Sequence, residues 1–399
     1  MHPAERLRLA ADKGQFAGKH LLLCVTGSIA ATEDVKLVRE FLRRGGEVTV
    51  AMTESATRII HPEALWFASG KKVVTALDGD VQHVTLCAHG PGSADAVLVA
   101  PCTANVISKL AMGICDGAVS TMLVTALGSG KPILLAPSMH GDMWANPVIK
   151  ENLKKLTSLK VTVIQPNFEE GKAKMADIET IVLATGRKML GSPLKGKKVT
   201  VIGGSTEEPI DSVRSITNRS TGGTAMSLVK EAYLQGADVE LMFGRCNMIP
   251  PSFAKVSKFK TVADLRKMTA GKRYDIVLVP AAISDFTVEK PAKGKISSDK
   301  DRVTVVLKRT PKIVDSIKAK TIVGFKLEAG VSAEELKDKA LARLKAGKMA
   351  AIVANRAEDI TDERSTAYFI DRSGKSMELS GTREDIARGI IANLLRVIK

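Results

Sequence analysis

The residues of this 399-residue chain that could do chemistry sit directly behind its apolar runs. Behind HLLLCV (20–25) comes Thr26-Gly27-Ser28-Ile29-Ala30-Ala31, a small turn with a glycine that leads into a helical pattern. Such a turn presents backbone N–H groups and the positive end of the helix, which suits a phosphate. It also serves as an ordinary strand–helix connection. No G-x-G-x-x-G follows a strand, which disfavours a nicotinamide dehydrogenase. Behind EVTVAM (47–52), Thr53 and Ser55 offer hydroxyls to a phosphate or a ribityl chain, or else cap the next helix. Behind the next two runs stand Thr103-Ala104-Asn105 and Ser138-Met139-His140-Gly141-Asp142.

The second half has a comparable cluster. VTVIGG (199–204) opens onto Ser205-Thr206-Glu207-Glu208-Pro209-Ile210-Asp211, followed by Val213-Arg214-Ser215-Ile216-Thr217-Asn218-Arg219. Glycines, hydroxyls, an asparagine and two arginines ahead of a helix make a phosphate cradle, or a plain βα loop with solvated arginines. The five cysteines (Cys24, Cys87, Cys102, Cys115 and Cys246) are odd in number and form no C-x-x-C pair. That pattern indicates reduced thiols and no zinc site.

The elements that must position these residues alternate strand and helix. DAVLVAP (95–101), KPILLAP (131–137) and VTVIQP (161–166) complete a first set of strands. DVELMFG (238–244), DIVLVPAA (275–282), TIVGF (321–325) and AAIVAN (350–355) follow VTVIGG in a second. The fold class expected is α/β: a flavodoxin-like, Rossmann-type parallel sheet followed by a second Rossmann-like α/β unit. The polar, Gly- and Pro-containing stretch RKMLGSPLKGKK (187–198) marks the boundary, giving domains 1–190 and 191–399. In such sheets ligands bind beyond the carboxyl ends of the strands, where the residues above lie.

Composition narrows the partners. The net charge is +16, so anionic ligands are expected. The basic residues are dispersed, and at 4% aromatics there is no base-stacking platform, so nucleic acid is not the expected partner. The polar N-terminus MHPAERLRLAADKGQ carries no signal-peptide core, and no apolar run reaches the length of a membrane span. A cytoplasmic enzyme is expected.

In order and spacing, GSIAA (27–31), MTESA (52–56), HVTL (83–86), PCTAN (101–105) with ISKLAMGICDG, and PSMHGDMW (137–144) resemble the flavoprotein of the phosphopantothenoylcysteine decarboxylase type. The resemblance implies a flavodoxin-like homo-oligomer carrying FMN that decarboxylates a C-terminal cysteine residue. By that resemblance Gly27, Ser28, Thr53, Ala104 and Asn105 contact FMN. His83 falls at the motif histidine that acts as base or substrate orienter, a role to which His61 and His89 have no claim. The flavin makes chemical sense, because oxidising the thiol first places an electron sink beside the departing carboxylate. Two departures stand out. His140 occupies the position of an asparagine that helps hold the substrate carboxylate; a histidine can still donate a hydrogen bond there. The stretch Asn167 to Met175, which matches a flexible flap, lacks the cysteine that serves as proton donor in bacterial members.

LKGKKVTVIGGSTEEPIDSVRSITNRSTG (194–222), PAAISDF (280–286), GKIS (294–297), VGFKLEA (323–329) and IVAN (352–355) are similar to the phosphopantothenate–cysteine ligase domain. That domain follows the flavoprotein in many prokaryotes, and the two resemblances cover the chain from about residue 18 onward. They imply that CTP, with Mg2+, activates 4′-phosphopantothenate as an acyl-cytidylate that L-cysteine then attacks. Asn218 corresponds to the asparagine that holds the acyl-cytidylate, and Ala281 and Asp285 to nucleotide contacts. Lys295, ten residues after Asp285, corresponds to the lysine of the second half-reaction; alone it would read as a solvated loop residue. Phe325 corresponds to a cytosine contact, and Thr310-Pro311-Lys312-Ile313 to a short nucleotide-binding segment. The basic residues Lys339, Arg343, Lys345 and Lys348 lie where the triphosphate should end, without one being singled out. No metal-ligating set is identified. Trimeric flavoprotein cores and dimeric ligase domains are the expected assembly. The competing readings are a flavoprotein decarboxylase or flavin transferase fused to an unrelated α/β domain, and a nucleic-acid-binding regulatory flavoprotein.

Overall fold

The structure is a computed structural model that describes residues 1–11, 14–299, 301–361 and 364–398. Two compact units account for the chain, Met1–Gly191 and Ser192–Lys399.

In the first unit the strands are β1 (His20–Val25), β2 (Glu47–Met52), β3 (Ala96–Cys102), β4 (Ile133–Pro137) and β5 (Thr162–Val163). They form one sheet in the order β2-β1-β3-β4-β5, and every pair is parallel. Its central strands are buried along nearly their whole length: behind the partly exposed His20, residues Leu21, Leu22, Leu23, Cys24 and Val25 have no exposure, because helices cover both faces. Each such leucine contributes about 1.5–3 kcal/mol of transfer free energy. The strand order reverses between β1 and β3, so the crevice at the carboxyl ends of those two strands is the natural ligand position. The run 161–166 forms a shorter strand than its apolar pattern suggests. It lies at the sheet edge with one neighbour, Lys160 before it has a positive φ of 68°, and Pro166 follows. Outside this sheet, Asn167–Glu169 and Lys172–Lys174 make an antiparallel hairpin, onto which Met139–His140 adds a third short strand.

The second unit is built on an eight-stranded sheet. Its strands are β6 (Lys198–Gly203), β7 (Asp238–Phe243), β8 (Lys255–Lys258), β9 (Arg273–Val279), β10 (Lys318–Glu328), β11 (Ala351–Arg356), β12 (Ser365–Asp371) and β13 (Ser376–Gly381). The order is β8-β7-β6-β9-β10-β11-β12-β13, parallel through β11 and antiparallel at the last two pairs. The first six strands follow the dinucleotide-fold order, with the reversal between β6 and β9. Strand periodicity divides the core: Val199, Val201 and Leu241 enter one cluster, and Ile202 and Met242 enter the other on the opposite face. Two short antiparallel pairs stand apart from this sheet, Glu207–Pro209 with Ser215–Thr217 and Phe286–Val288 with Leu307–Arg309. Among the described residues no helix is long and apolar enough to cross a membrane.

Candidate active sites at two switch points

In the first unit, the loops behind β1 and β3 are laced together by Thr26. Its hydroxyl donates to the Pro101 carbonyl at 2.7 Å and accepts the Thr103 N–H at 3.1 Å. Gly27 is required by what faces it, since a Cβ there would stand 2.6 Å from the Ser55 Cβ. Beside it opens a cavity of about 750 Å³ lined by Gly27, Thr53, Ser55, Thr103 and Asn105. Thr53 caps the short helix Glu54–Thr57 through the Ala56 N–H at 3.3 Å, so it serves as cap and wall together. Thr103 precedes the helix Ala104–Met112 and makes no side-chain cap bond, which leaves that helix's first N–H groups toward the cavity. Ala104 is buried and supports the turn from behind. Lys109 and Asp116, paired at 2.7 Å, also line this cavity, and the Lys109 contact draws the Asp116 carboxyl below its ordinary range. The sequence reading passed over this pair although it lies within ISKLAMGICDG.

A second cavity, of about 780 Å³, holds Ser28, Ser138, His140 and the flap residues Lys172 and Lys174. The Ser28 and Ser138 hydroxyls are 3.0 Å apart, which joins the turn behind β1 to the loop behind β4. Gly141 lets the flap come down: its N–H donates to the Gly171 carbonyl at 3.0 Å, and a Cβ there would reach within 2.3 Å of that oxygen. Phe168 of the flap meets Trp144 edge-to-face at 5.9 Å, and Lys150 sits over the same indole at 4.4 Å.

His83 lines neither cavity. It lies in the helix Gln82–Cys87, and its Nδ1 is buried with no hydrogen-bond partner among the described residues. The three buried cysteines offer no substitute acid. Burial pushes the Cys87 thiol up to about 12, and Cys24 and Cys102 well above their ordinary value.

In the second unit the loops behind β6 and β9 converge. The Ala282 N–H donates to the Gly204 carbonyl at 2.9 Å, and the Ser284 N–H to the Thr206 hydroxyl at 3.0 Å. Thr217 joins this net by donating to the Thr206 carbonyl at 2.8 Å. The amide of Asn218 then donates to the Ala282 carbonyl at 3.3 Å, which places Asn218 beside Ala281. Thr310 donates through its N–H to Asp285 O at 2.9 Å and through its hydroxyl to Ser284 O at 2.6 Å, and Lys312 pairs with Asp285. Hydrogen bonds and one ion pair therefore bring Asn218, Asp285, Thr310 and Lys312 together around Ala281 and Ala282, with Thr310 also lining the cavity described next. Pro311 borders a neighbouring cavity of about 560 Å³ with Arg266 and Lys267. Ile313 sends its side chain into the core, so only its backbone faces a ligand. Phe325 is half-buried against one of the two cores, midway along β10.

Lys295 is fixed through its neighbour. The buried Asp211 carboxylate accepts the N–H groups of Val213 (2.8 Å), Arg214 (2.7 Å) and Ile296 (3.1 Å), and Arg214 pairs with it at 2.9 Å. Those backbone donors, first Val213 and Arg214, hold its carboxyl down at about 2. Arg214 also donates to the Ile296 carbonyl at 3.1 Å. Asp211 and Arg214 thus clamp the loop bearing Lys295 across more than eighty residues, a long-range contact that no local pattern announces. Among the described residues no group of three or more metal-ligating side chains forms a cation site.

Residues 10–190 match the family described as Flavoprotein, and residues 194–397 the DNA/pantothenate metabolism flavoprotein C-terminal domain. The chain is 42% identical over 376 residues to the coenzyme A biosynthesis bifunctional protein CoaBC of Thermococcus kodakarensis, covering 92% of each. It is 36% identical to the protein of that name from Methanocaldococcus jannaschii, covering 100% of this chain and 98% of the relative. To the Bacillus subtilis protein it is 32% identical, covering 84% and 86%. The fold and the two crevices define a two-unit α/β protein, a flavoprotein unit followed by a pantothenate-metabolism unit. The chain belongs to the family of bifunctional coenzyme A biosynthesis proteins.

Proposed function

We propose that the second unit ligates L-cysteine to 4′-phosphopantothenate at the expense of CTP, and that the first unit decarboxylates the product to 4′-phosphopantetheine. The observation that carries this reading is the pair of unlike crevices on one chain: a hydroxyl-lined cavity at the β1/β3 reversal and a charged one at the β6/β9 reversal.

The front cavity suits FMN on its own geometry. Gly27 lets the turn pass close to Ser55 at the cavity wall, the helix beginning at Ala104 offers uncapped N–H groups to a phosphate, and Thr53, Ser55 and Asn105 supply neutral hydrogen-bonding groups. Bound there, the flavin would supply a two-electron sink and source. Ser28, Ser138 and His140 border the neighbouring cavity, where the cysteinyl end of the substrate would lie. His83 lines neither cavity and keeps part of its ring exposed, which supports completion of the site by another copy of the chain in a trimeric core.

In the back crevice, Asn218 would hold the acyl-cytidylate beside Ala281, and Asp285 with Thr310 and Lys312 would frame the nucleotide. Lys295 would carry positive charge to the oxygens that gain negative charge during acyl transfer. Mg2+ would arrive with the triphosphate, since the described protein residues supply no cation site of their own. Ligase dimers and a cytoplasmic place of work complete the reading. The test is an assay with 4′-phosphopantothenate, cysteine, CTP or ATP, and Mg2+. CMP, carbon dioxide and 4′-phosphopantetheine are the expected products; no nucleotide monophosphate from either triphosphate would overturn the ligase half, and no carbon dioxide from supplied 4′-phosphopantothenoylcysteine the decarboxylase half.

A further inference from the structure

Replacing a carboxylate by hydrogen on carbon consumes one proton, and the chain has no cysteine on its flap to give it. The ionisable side chains lining the second front cavity are Glu33, His140, Lys172, Lys174 and Asp177. Three are already committed. Glu33 pairs with Lys36 at 2.9 Å. Lys174 is held between Glu169 (3.0 Å) and Glu170 (3.1 Å), which raises its pKa. Asp177 caps the helix Ile178–Met189 by accepting the Thr180 N–H at 2.8 Å and hydroxyl at 2.7 Å. His140 and Lys172 remain, and they are direct cross-strand partners where the flap pairs with Met139–His140. Lys172 forms no ion pair among the described residues.

The two differ in what they can do. The His140 ring is tied at one nitrogen only. Its Nδ1 faces the Asp142 N–H at 3.4 Å, and its Nε2 has no hydrogen-bond partner among the described residues. The Asp142 carboxylate lies 3.4 Å from the same Nδ1. The side chain is 60% exposed, which gives it access to solvent for reprotonation. Lys172, an ammonium on the covering flap, offers a fixed positive charge to a carboxylate.

We propose that His140 is the proton donor of the decarboxylation and that Lys172 anchors the departing carboxylate; this rests on the decarboxylase reading of the first unit. The bond from carbon to the carboxylate breaks, releasing carbon dioxide. The imidazolium form of His140 gives up its Nε2 proton, and a C–H bond forms on the carbon that lost the carboxylate, leaving a neutral imidazole. The imidazole regains its proton from solvent; the flavin would hold the two electrons taken from the thiol before carbon dioxide leaves and return them afterwards, so the reaction as a whole involves no net oxidation. The cavity residue that replaces an asparagine thereby takes over the task of the missing flap thiol, and the flap supplies charge instead of acid.

The experiment uses the flavin-loaded full-length protein with 4′-phosphopantothenoylcysteine under anaerobic conditions. His140→Gln is expected to release carbon dioxide in one turnover but to hold the substrate as the enethiol, two hydrogens lighter than the thiol by mass spectrometry, with roughly a hundredfold slower thiol formation. His140→Asn should behave alike. Lys172→Ala should raise KM about tenfold and weaken, by the same factor, calorimetric binding of the unreactive analogue with oxygen in place of sulfur. Thiol product at the wild-type rate from His140→Gln would overturn the proposal. So would the loss of carbon dioxide release from that variant when it still holds flavin and binds the analogue. Wild-type protein that releases no carbon dioxide would instead overturn the decarboxylase reading itself.

Discussion

The front and back units solve the same positioning problem with different materials. Each places its site where strand order reverses, between β1 and β3 or between β6 and β9. The front crevice is tied by hydroxyls, Thr26 to Thr103 and Ser28 to Ser138, and its wall is mostly neutral, with the Lys109–Asp116 pair as its charged part. The back crevice is tied by ionised groups, Asp211 to Arg214 and Asp285 to Lys312. Neutral donors and acceptors leave room for a planar cofactor that brings its own chemistry. Ionised pairs suit a reaction in which phosphate charge must be received and released. The two candidate residues also differ in placement: Asn218 bonds to the Ala282 carbonyl within the chain, whereas His83 lines neither front cavity.

That contrast can be broken or sharpened by substitution. The largest effect expected is from His83→Asn, which should slow carbon dioxide release by roughly a hundredfold or more while CMP release continues at the wild-type rate. Mixing this variant with one defective at Asn105 should restore part of the activity if separate chains complete one site. In the back unit, Asn218→Ala should cut CMP formation roughly a hundredfold and spare decarboxylation of supplied 4′-phosphopantothenoylcysteine.

Asp211→Asn should loosen the Lys295 loop and slow ligation roughly tenfold, with pyrophosphate release less affected than cysteine transfer. Because the folded carboxyl is held below its ordinary 3.8 at about 2, its contribution is fully present above pH 3.8 and is lost as pH falls through about 2. Wild type and Asp211→Asn should therefore differ in thermal stability above that window and converge beneath it.

Gly27→Ala should purify with flavin affinity lowered about tenfold, read by flavin fluorescence on dilution, because the new Cβ collides with Ser55. The smallest effect concerns Asp34, fully buried with neither carboxylate oxygen hydrogen-bonded and its pKa raised well above ordinary, first by burial and then by Glu33. Here the sign reverses: ionising the folded carboxyl is unfavourable, so stability falls as pH rises above 3.8. Asp34→Asn should raise Tm by a few degrees at neutral pH and leave it unchanged in acid.

Much of this architecture is legible in the sequence because buried parallel strands write themselves as unbroken apolar runs. HLLLCV and EVTVAM mark β1 and β2 to the residue. β12 and β13 were not read as strands; β13 alternates exposed and half-buried residues, and its SMELSG carries no continuous apolar signal. The loops behind the strands are equally legible, since small residues, hydroxyls and glycines gather where the backbone must turn. What the sequence withholds is contact across distance. The Asp211 clamp on Ile296 joins two loops with no shared pattern, and the pairing of His140 with Lys172 depends on how the flap folds back. The position of His83 outside both cavities is likewise a property of the folded unit, not of its motif.

The most direct test of the two-unit account follows one atom through both crevices. Cysteine labelled in its carboxyl carbon is supplied with 4′-phosphopantothenate, CTP and Mg2+, and labelled carbon dioxide is collected. Label should appear in carbon dioxide only when CTP and 4′-phosphopantothenate are both present, in step with CMP. Label released without CTP, or retained in a stable ligation product while CMP accumulates, would contradict the claim that this one chain makes the cysteine amide and then decarboxylates it.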